Sequence, residues 1–140
     1  MSTPAIAAQV LAANRRFYDA LEALDAGGME ACWASDPSPA CVHPGGPWQR
    51  GWEEVSAGWD AIMSSTGYIE FEIADARVTV VDPVAWVTCT ERITSAVGES
   101  GQTATAEVAA TNLFVLDATG WHMALHHASP VIRPALVGEE

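Results

Sequence analysis

Near residue 68 the hydrophobic pattern of this chain changes period, and that change restricts the fold more than any other feature. Upstream, Ile6, Val10, Phe17, Leu21 and Leu24 recur at three- to four-residue intervals, the spacing of an apolar stripe on a helix. Thr3-Pro4 supplies an N-cap and a first-turn proline, and Gly27-Gly28 predicts the stop. A short helix over about Met29–Ser35 follows, then a brief strand over Ala40–His43. Trp52, Val55, Trp59 and Ile62 share one face of a third helix.

From Tyr68 onward the period is two. Tyr68–Val81, Val84–Ala96, Thr103–Leu116 and Gly120–Ser129 read as strands, separated by turn residues at Asp82-Pro83, Gly98–Gly101 and Asp117–Gly120. Strands joined by such short turns pair antiparallel. The order predicts an α+β fold, a curved antiparallel sheet wrapped around N-terminal helices, with a conical cavity suited to a small ligand. The 140 residues read as a single domain, 1–140, with its core over about 8–130 and an extended tail over 131–140.

Six basic residues, all arginine, stand against eighteen acidic ones, for a net charge of −12. A phosphate backbone would be repelled, which argues against nucleic acid as a partner. No apolar run is long enough for a bilayer, and MSTPAIAAQ lacks the basic start of a signal peptide, so no membrane association is expected. Cys32, Cys41 and Cys89 form an odd set without CxxC spacing. They read as reduced thiols, and the protein as cytoplasmic.

Candidate chemistry starts with the last strand, where His122, His126 and His127 suggest a metal. Four residues of strand span about 13 Å, and neighbours point to opposite faces, so these three cannot share one ion. Alternation groups His127 with Trp121, Met123, Leu125 and Ser129, and His126 with His122 and two alanines. The first face is more apolar, which makes His127 the favoured pocket histidine, with His126 as the alternative. Glu91 alternates with Val87, Cys89 and Ile93 on an apolar face. Burial there would raise its pKa and fit it for proton transfer. Asn112 is a possible oxyanion donor, and Tyr18 could point a phenol into the cavity.

In CVHPGGPWQRGW, residues 41–52, the run Pro44-Gly45-Gly46-Pro47 dictates an irregular loop carrying His43, Trp48, Arg50 and Trp52. His43 and Trp48 are expected to close over a pocket whose floor includes Glu91, Asn112 and His127. Alternatively, Trp48 and Trp52 staple the loop to the third helix.

Asn14 with Phe17-Tyr18, His43-Pro44-Gly45, Arg50-Gly51, Trp59, Ala110–Phe114 and Trp121 through His126–Pro130 resemble the nuclear transport factor 2-like superfamily, in its SnoaL-like branch. The resemblance implies a cone-shaped, cystatin-like fold shared by ketosteroid isomerases, polyketide cyclases, dehydratases, epoxide hydrolases and non-catalytic modules. Within that range the residues favour a cofactor-independent acid–base enzyme acting on an apolar oxygenated small molecule, with no cofactor and no metal, over a metal-dependent enzyme in which His43, Glu91 and a last-strand histidine would converge as ligands. Glu91, His127 and His43 would move protons, while Asn112, Trp48, Tyr18, Trp52 and His126 would contact substrate. The acids Asp19 and Asp25 read as solvent-facing, which departs from the steroid isomerase constellation. A non-catalytic ligand-binding or dimerisation module with a vestigial pocket is the alternative. A homodimer through the outer sheet face is expected, with Thr88, Thr90, Arg92, His122 and His126 on that face.

Overall fold

The computed structural model describes residues 3–97 and 101–133. Three helices, α1 (Thr3–Glu22), α2 (Ala26–Cys32) and α3 (Trp52–Ser65), accompany six strands. The strands are β1 (Ala40–Val42), β2 (Trp48–Arg50), β3 (Thr66–Val81), β4 (Val84–Val97), β5 (Thr103–Asp117) and β6 (Gly120–Pro130). They form one curved sheet in the order β2-β1-β6-β5-β4-β3. The helices cover its inner face, and the long strands fall within a residue or two of their expected limits.

Several details differ from expectation. α1 ends at Glu22, where Leu24 takes a left-handed conformation with φ 52°. Gly27 and Gly28 lie inside α2, whose N-cap Asp25 accepts a bond from the Gly28 amide at 3.0 Å. The supposed loop after His43 contains the edge strand β2. The sheet is also not wholly antiparallel, because β1 runs parallel to β6 and pairs Cys41 with His126. The turn expected at Gly98–Gly101 lies largely outside the described residues, as does most of the tail. The start of that tail runs along β5, with Val131 N–H bonded to the Glu107 carbonyl at 2.9 Å.

The core forms where the stripe of α1 meets the inward residues of the sheet. Val10, Ala13, Asn14, Phe17, Tyr18 and Leu21 are buried on the helix, against Ala85, Val87, Cys89 and Glu91 of β4 and Val108, Ala110, Asn112 and Phe114 of β5. Both strands alternate without interruption over these residues. β6 does not. Its ladder pairs Leu113 with Leu125 but Phe114 with Met123, so Ala124 is an extra residue, a β-bulge. Trp121 and Met123 face inward before it; His126 and Ala128 face inward after it. A second bulge, at Asp75-Ala76, does the same on β3, where Ile69, Phe71 and Ile73 give way to Val78 and Val80. Bulges bend and twist a strand, which helps the sheet wrap the helices.

The β1–β2 hairpin turns at His43-Pro44-Gly45-Gly46, with Gly46 N–H on the His43 carbonyl at 2.8 Å. Proline at the second position and Gly45 at φ 76° are the requirements of a type II turn. A methyl group at position 45 would meet nothing within 4 Å, so Gly45→Ala tests the backbone alone. It should cost about 1–2 kcal/mol in denaturant unfolding. An unchanged midpoint would mean that the turn is not held in this conformation.

Candidate functional site

Between α1, α3 and the concave face of the sheet lies a cavity of about 110 Å³, lined by Leu21, Trp59, Ile62, Ile69, Phe71 and Ile93. Its polar lining comes from Glu91, His126 and His43, with Pro44 beside His43 at the turn. A cavity of roughly 150 Å³ lined by aliphatic side chains holds a benzene ring, so this space suits a small, compact molecule.

Glu91 is 3% exposed. Its Oε2 accepts the Tyr18 phenol at 2.6 Å, leaving Oε1 as the oxygen free of that bond. Burial pushes its pKa up to about 7, against the smaller, opposing effect of the Tyr18 bond. Tyr18 is fully buried; burial first, and then the charge of Glu91, hold its pKa far above the usual phenol value, so it stays a donor. Asn112 Nδ2 donates to the Tyr18 oxygen at 3.0 Å and to Asn14 Oδ1 at 2.8 Å. Asn112 Oδ1 meets His126 Nδ1 at 2.5 Å.

These bonds have one consistent direction. Asn112 Oδ1 can only accept, so His126 Nδ1 carries the proton and Nε2 is left as an acceptor. The chain then runs from His126 through Asn112 and Tyr18 to the Glu91 carboxylate, each group donating to the next. His126 is 3% exposed, and burial depresses its pKa to about 3. It is therefore a neutral imidazole of fixed tautomer, packed against Phe17 at 4.9 Å and Trp59 at 5.8 Å between ring centroids.

His43 stands edge-on to Trp59, with centroids 4.6 Å apart, and its Nε2 lies 3.6 Å from Cys41 Sγ. Burial lowers its pKa. Cys41 and Cys89 are pushed up by burial to about 12 and about 11, so both remain thiols. The indole N–H of Trp59 is buried without a hydrogen-bond partner.

The structure thus brings Glu91, His43 and His126 to one cavity, with Tyr18 and Asn112 linking Glu91 to His126 from behind. It separates the other expected residues. His127 is exposed on the outer face, because the bulge at Ala124 reverses the alternation that grouped it with Trp121 and Met123. The same bulge takes His126 off the outer face, where it was expected to join His122. Trp48 is 46% exposed and stacks edge-on against His127 at 5.1 Å, so it does not cover the cavity. Pairing explains this: Trp48 lies opposite Val42, which lies opposite His127, all on one side of the sheet. Arg50 rests over the Trp48 ring at 4.8 Å. Trp52 packs 6.2 Å from Trp33, apart from the cavity lining.

The sequence reading gave no site role to Trp59, Phe71 or Asn14. The signal for Asn14 was present: a polar residue four positions before Tyr18, within the apolar stripe of a helix, needs a partner.

Glu91 and His126 pull stability in opposite directions with pH. Glu91 keeps its proton in the native state until about pH 7, whereas its ordinary value is 4.5. Its contribution is present below pH 4.5 and is lost as pH rises to about 7. His126 refuses a proton down to about pH 3, whereas its ordinary value is 6.5. Its contribution is present above pH 6.5 and is lost as pH falls to about 3. Between pH 4.5 and 6.5 the two slopes oppose. Glu91→Gln should therefore make stability climb with pH across that window, and His126→Gln should make it fall, each by up to about 1.4 kcal/mol per unit relative to wild type. Urea unfolding at stepped pH measures both; parallel curves for all three proteins would refute the assignment.

Comparison with known proteins places these observations in a family. Residues 10–133 match the SnoaL-like domain model. A crystal structure of a candidate dehydratase from the nuclear transport factor 2-like family of Streptomyces avermitilis is 35% identical, with a TM-score of 0.91 over 94% of this chain and 100% of that one. A ketosteroid isomerase-like protein from Erwinia carotovora atroseptica, 22% identical, shares the fold with a TM-score of 0.76 over 91% of this chain and 97% of its own. Among curated proteins, the F-box protein SKIP8 of Arabidopsis thaliana is 22% identical over 123 residues, 88% of this chain. The chain spans 50% of the length of that relative. By the extent of the domain match and the likeness to the Streptomyces structure, the chain belongs to the SnoaL-like domain family of the nuclear transport factor 2-like superfamily.

Proposed function

We propose that this domain is a cofactor-independent acid–base enzyme acting on a small, uncharged, oxygenated molecule, and that the reaction it fits best is elimination of water. One observation carries the reading: Glu91, with a pKa of about 7, shares an apolar cavity with a neutral histidine of fixed tautomer. A carboxylate titrating there can take a proton from carbon near neutral pH and is strong enough as a base to do so. The likeness to a candidate dehydratase supports the choice of reaction.

In such a step Glu91 removes the proton next to a substrate carbonyl. The electron pair forms the carbon–carbon double bond, and the β-hydroxyl leaves. Protonated His43 gives that hydroxyl its proton, so the products are the unsaturated carbonyl compound and water. Glu91 and His43 then return to their starting states by exchange with solvent. His126 Nε2 accepts from a substrate hydroxyl and positions it, and the partnerless Trp59 indole N–H is available to the carbonyl oxygen. Tyr18, Asn112 and Asn14 act through Glu91 and His126. Among the described residues no arginine lines the cavity, so a carboxylate or phosphate group would go unpaired there at a high desolvation cost.

The test uses small β-hydroxy ketones and esters, with the conjugated product followed by absorbance. Wild type should turn over at least one of them, with a bell-shaped pH profile that falls above about pH 7, because the step needs Glu91 ionised and His43 protonated together. Glu91→Gln should lose ~10²-fold or more in rate. Equal rates in the variant would remove Glu91 from the chemistry. Tight binding without turnover would favour the non-catalytic ligand-binding module.

The same reading includes a homodimer through the outer sheet face, now with Thr88, Thr90, Arg92, His122, Leu125 and His127 on that face. It also includes a reducing, cytoplasmic setting, which the three free thiols support. Light scattering at micromolar protein should give twice the chain mass, and a monomer mass would end the dimer proposal.

A further inference from the structure

Two consecutive residues of α3 hold two side chains of the β1–β2 hairpin. Trp59 carries the ring of His43 edge-on. Gly58, one residue earlier, lies beneath the side-chain amide of Gln49. A Cβ at position 58 would sit 2.5 Å from Gln49 Nε2 and Oε1 and 2.7 Å from its Cδ. The amide can therefore lie against the helix only because residue 58 has no side chain.

Gln49 also has a cost that its fold position does not explain. It occupies the middle of the short edge strand β2, opposite Cys41, and its Oε1 is buried with no hydrogen-bond partner. An acceptor left in that state is unfavourable. The ladder partner of Gln49, Cys41, lies two residues before His43, whose imidazole interacts with the Gln49 side chain and whose Nε2 meets the Cys41 thiol at 3.6 Å. Cys41 stays protonated, so its S–H can donate to Nε2 of a neutral His43 that carries its ring proton on Nδ1.

We propose that Gln49 is a positioning residue for His43, its buried carbonyl oxygen serving as the acceptor for a ring N–H when His43 carries a proton beside the cavity. Gly58 provides the room, Trp59 the platform and Gln49 the orienting acceptor. The groups facing the ring from each packed element are the Cys41 thiol of β1, the His126 imidazole of β6, with centroids 6.4 Å apart, and the Glu91 carboxyl of β4 across the cavity. α3 contributes the uncharged Trp59. Burial lowers the His43 pKa, and the Gln49 side chain opposes that shift. The role assigned to Gln49 rests on the reading of His43 as a proton-carrying residue, but its test needs no substrate.

The His43 imidazole is titrated by NMR in the free protein, its signal assigned by its loss in His43→Asn. Gln49→Ala should lower the His43 midpoint by about 0.5 pH units or more, the scale of one lost hydrogen bond to the charged form. Gly58→Ala, which leaves Gln49 in the chain but displaces its amide, should lower it in the same direction. The double variant should show no further drop, because both changes remove one interaction. Gln49→Glu should raise the midpoint above wild type. A merely structural Gln49 predicts changes in melting temperature with an unmoved His43 midpoint, and that result overturns the proposal. If Gln49→Ala disrupts the hairpin, Gly58→Ala and Gln49→Glu carry the same opposed expectations. Shifted midpoints in a protein without turnover would leave this inference standing and the proposed reaction fallen; unmoved midpoints in an active enzyme would do the reverse.

Discussion

The contact between Tyr18 and Glu91 joins the two halves of this molecule. A carboxyl group on the concave face of the sheet could not be buried among Ile69, Phe71 and Ile93 without a donor. The donor comes from α1, seventy-three positions earlier in the chain. That bond fixes the rotation of α1 about its own axis: with Tyr18 aimed at β4, Asn14 is aimed at Asn112 one turn away. The polar chain therefore does for the helix-on-sheet packing what shape alone does in an apolar core. It makes one arrangement far better than its neighbours.

The long elements were readable because their periodicity is local. Glu91 and Asn112 face inward as expected, since β4 and β5 alternate over Ala85–Glu91 and Val108–Phe114 without interruption. His126 and His127 were exchanged for an equally definite reason. A bulge inserts one residue and shifts every later side chain to the opposite face. Ala124, the inserted residue, is small and apolar, and nothing in the run Trp121–Ala128 marks it. The β5 ladder decides the matter by pairing Leu113 with Leu125 and Phe114 with Met123, and that is information about two strands.

Trp48 illustrates a related failure. The run Pro44–Pro47 reads as an irregular turn, with Trp48 as its apolar lid meeting a ligand together with His43. In the structure three residues after the turn form an edge strand. Strand geometry then sends Trp48 to the outer face and Gln49 to the inner one. The less conspicuous residue of the pair is the one turned toward the cavity side. What the loop contributes to the cavity is His43 and Pro44, while its tryptophan belongs to the opposite surface.

The parallel pairing of β1 with β6 has a consequence for the order of assembly. Cys41 pairs with Gln49 inside its own hairpin, but its ladder partner in the rest of the sheet is His126, almost at the end of the described chain. During synthesis the helices and the β3–β4–β5 meander can come together from contacts between neighbouring segments, but the small hairpin has no edge to dock on until the last strand is in place. Until then His43 and Gln49 have only α3 to rest on. An intermediate lacking this step would already hold the Glu91–Tyr18 contact while the mouth side of the cavity stood open. Completing the site and closing the sheet are then the same late event.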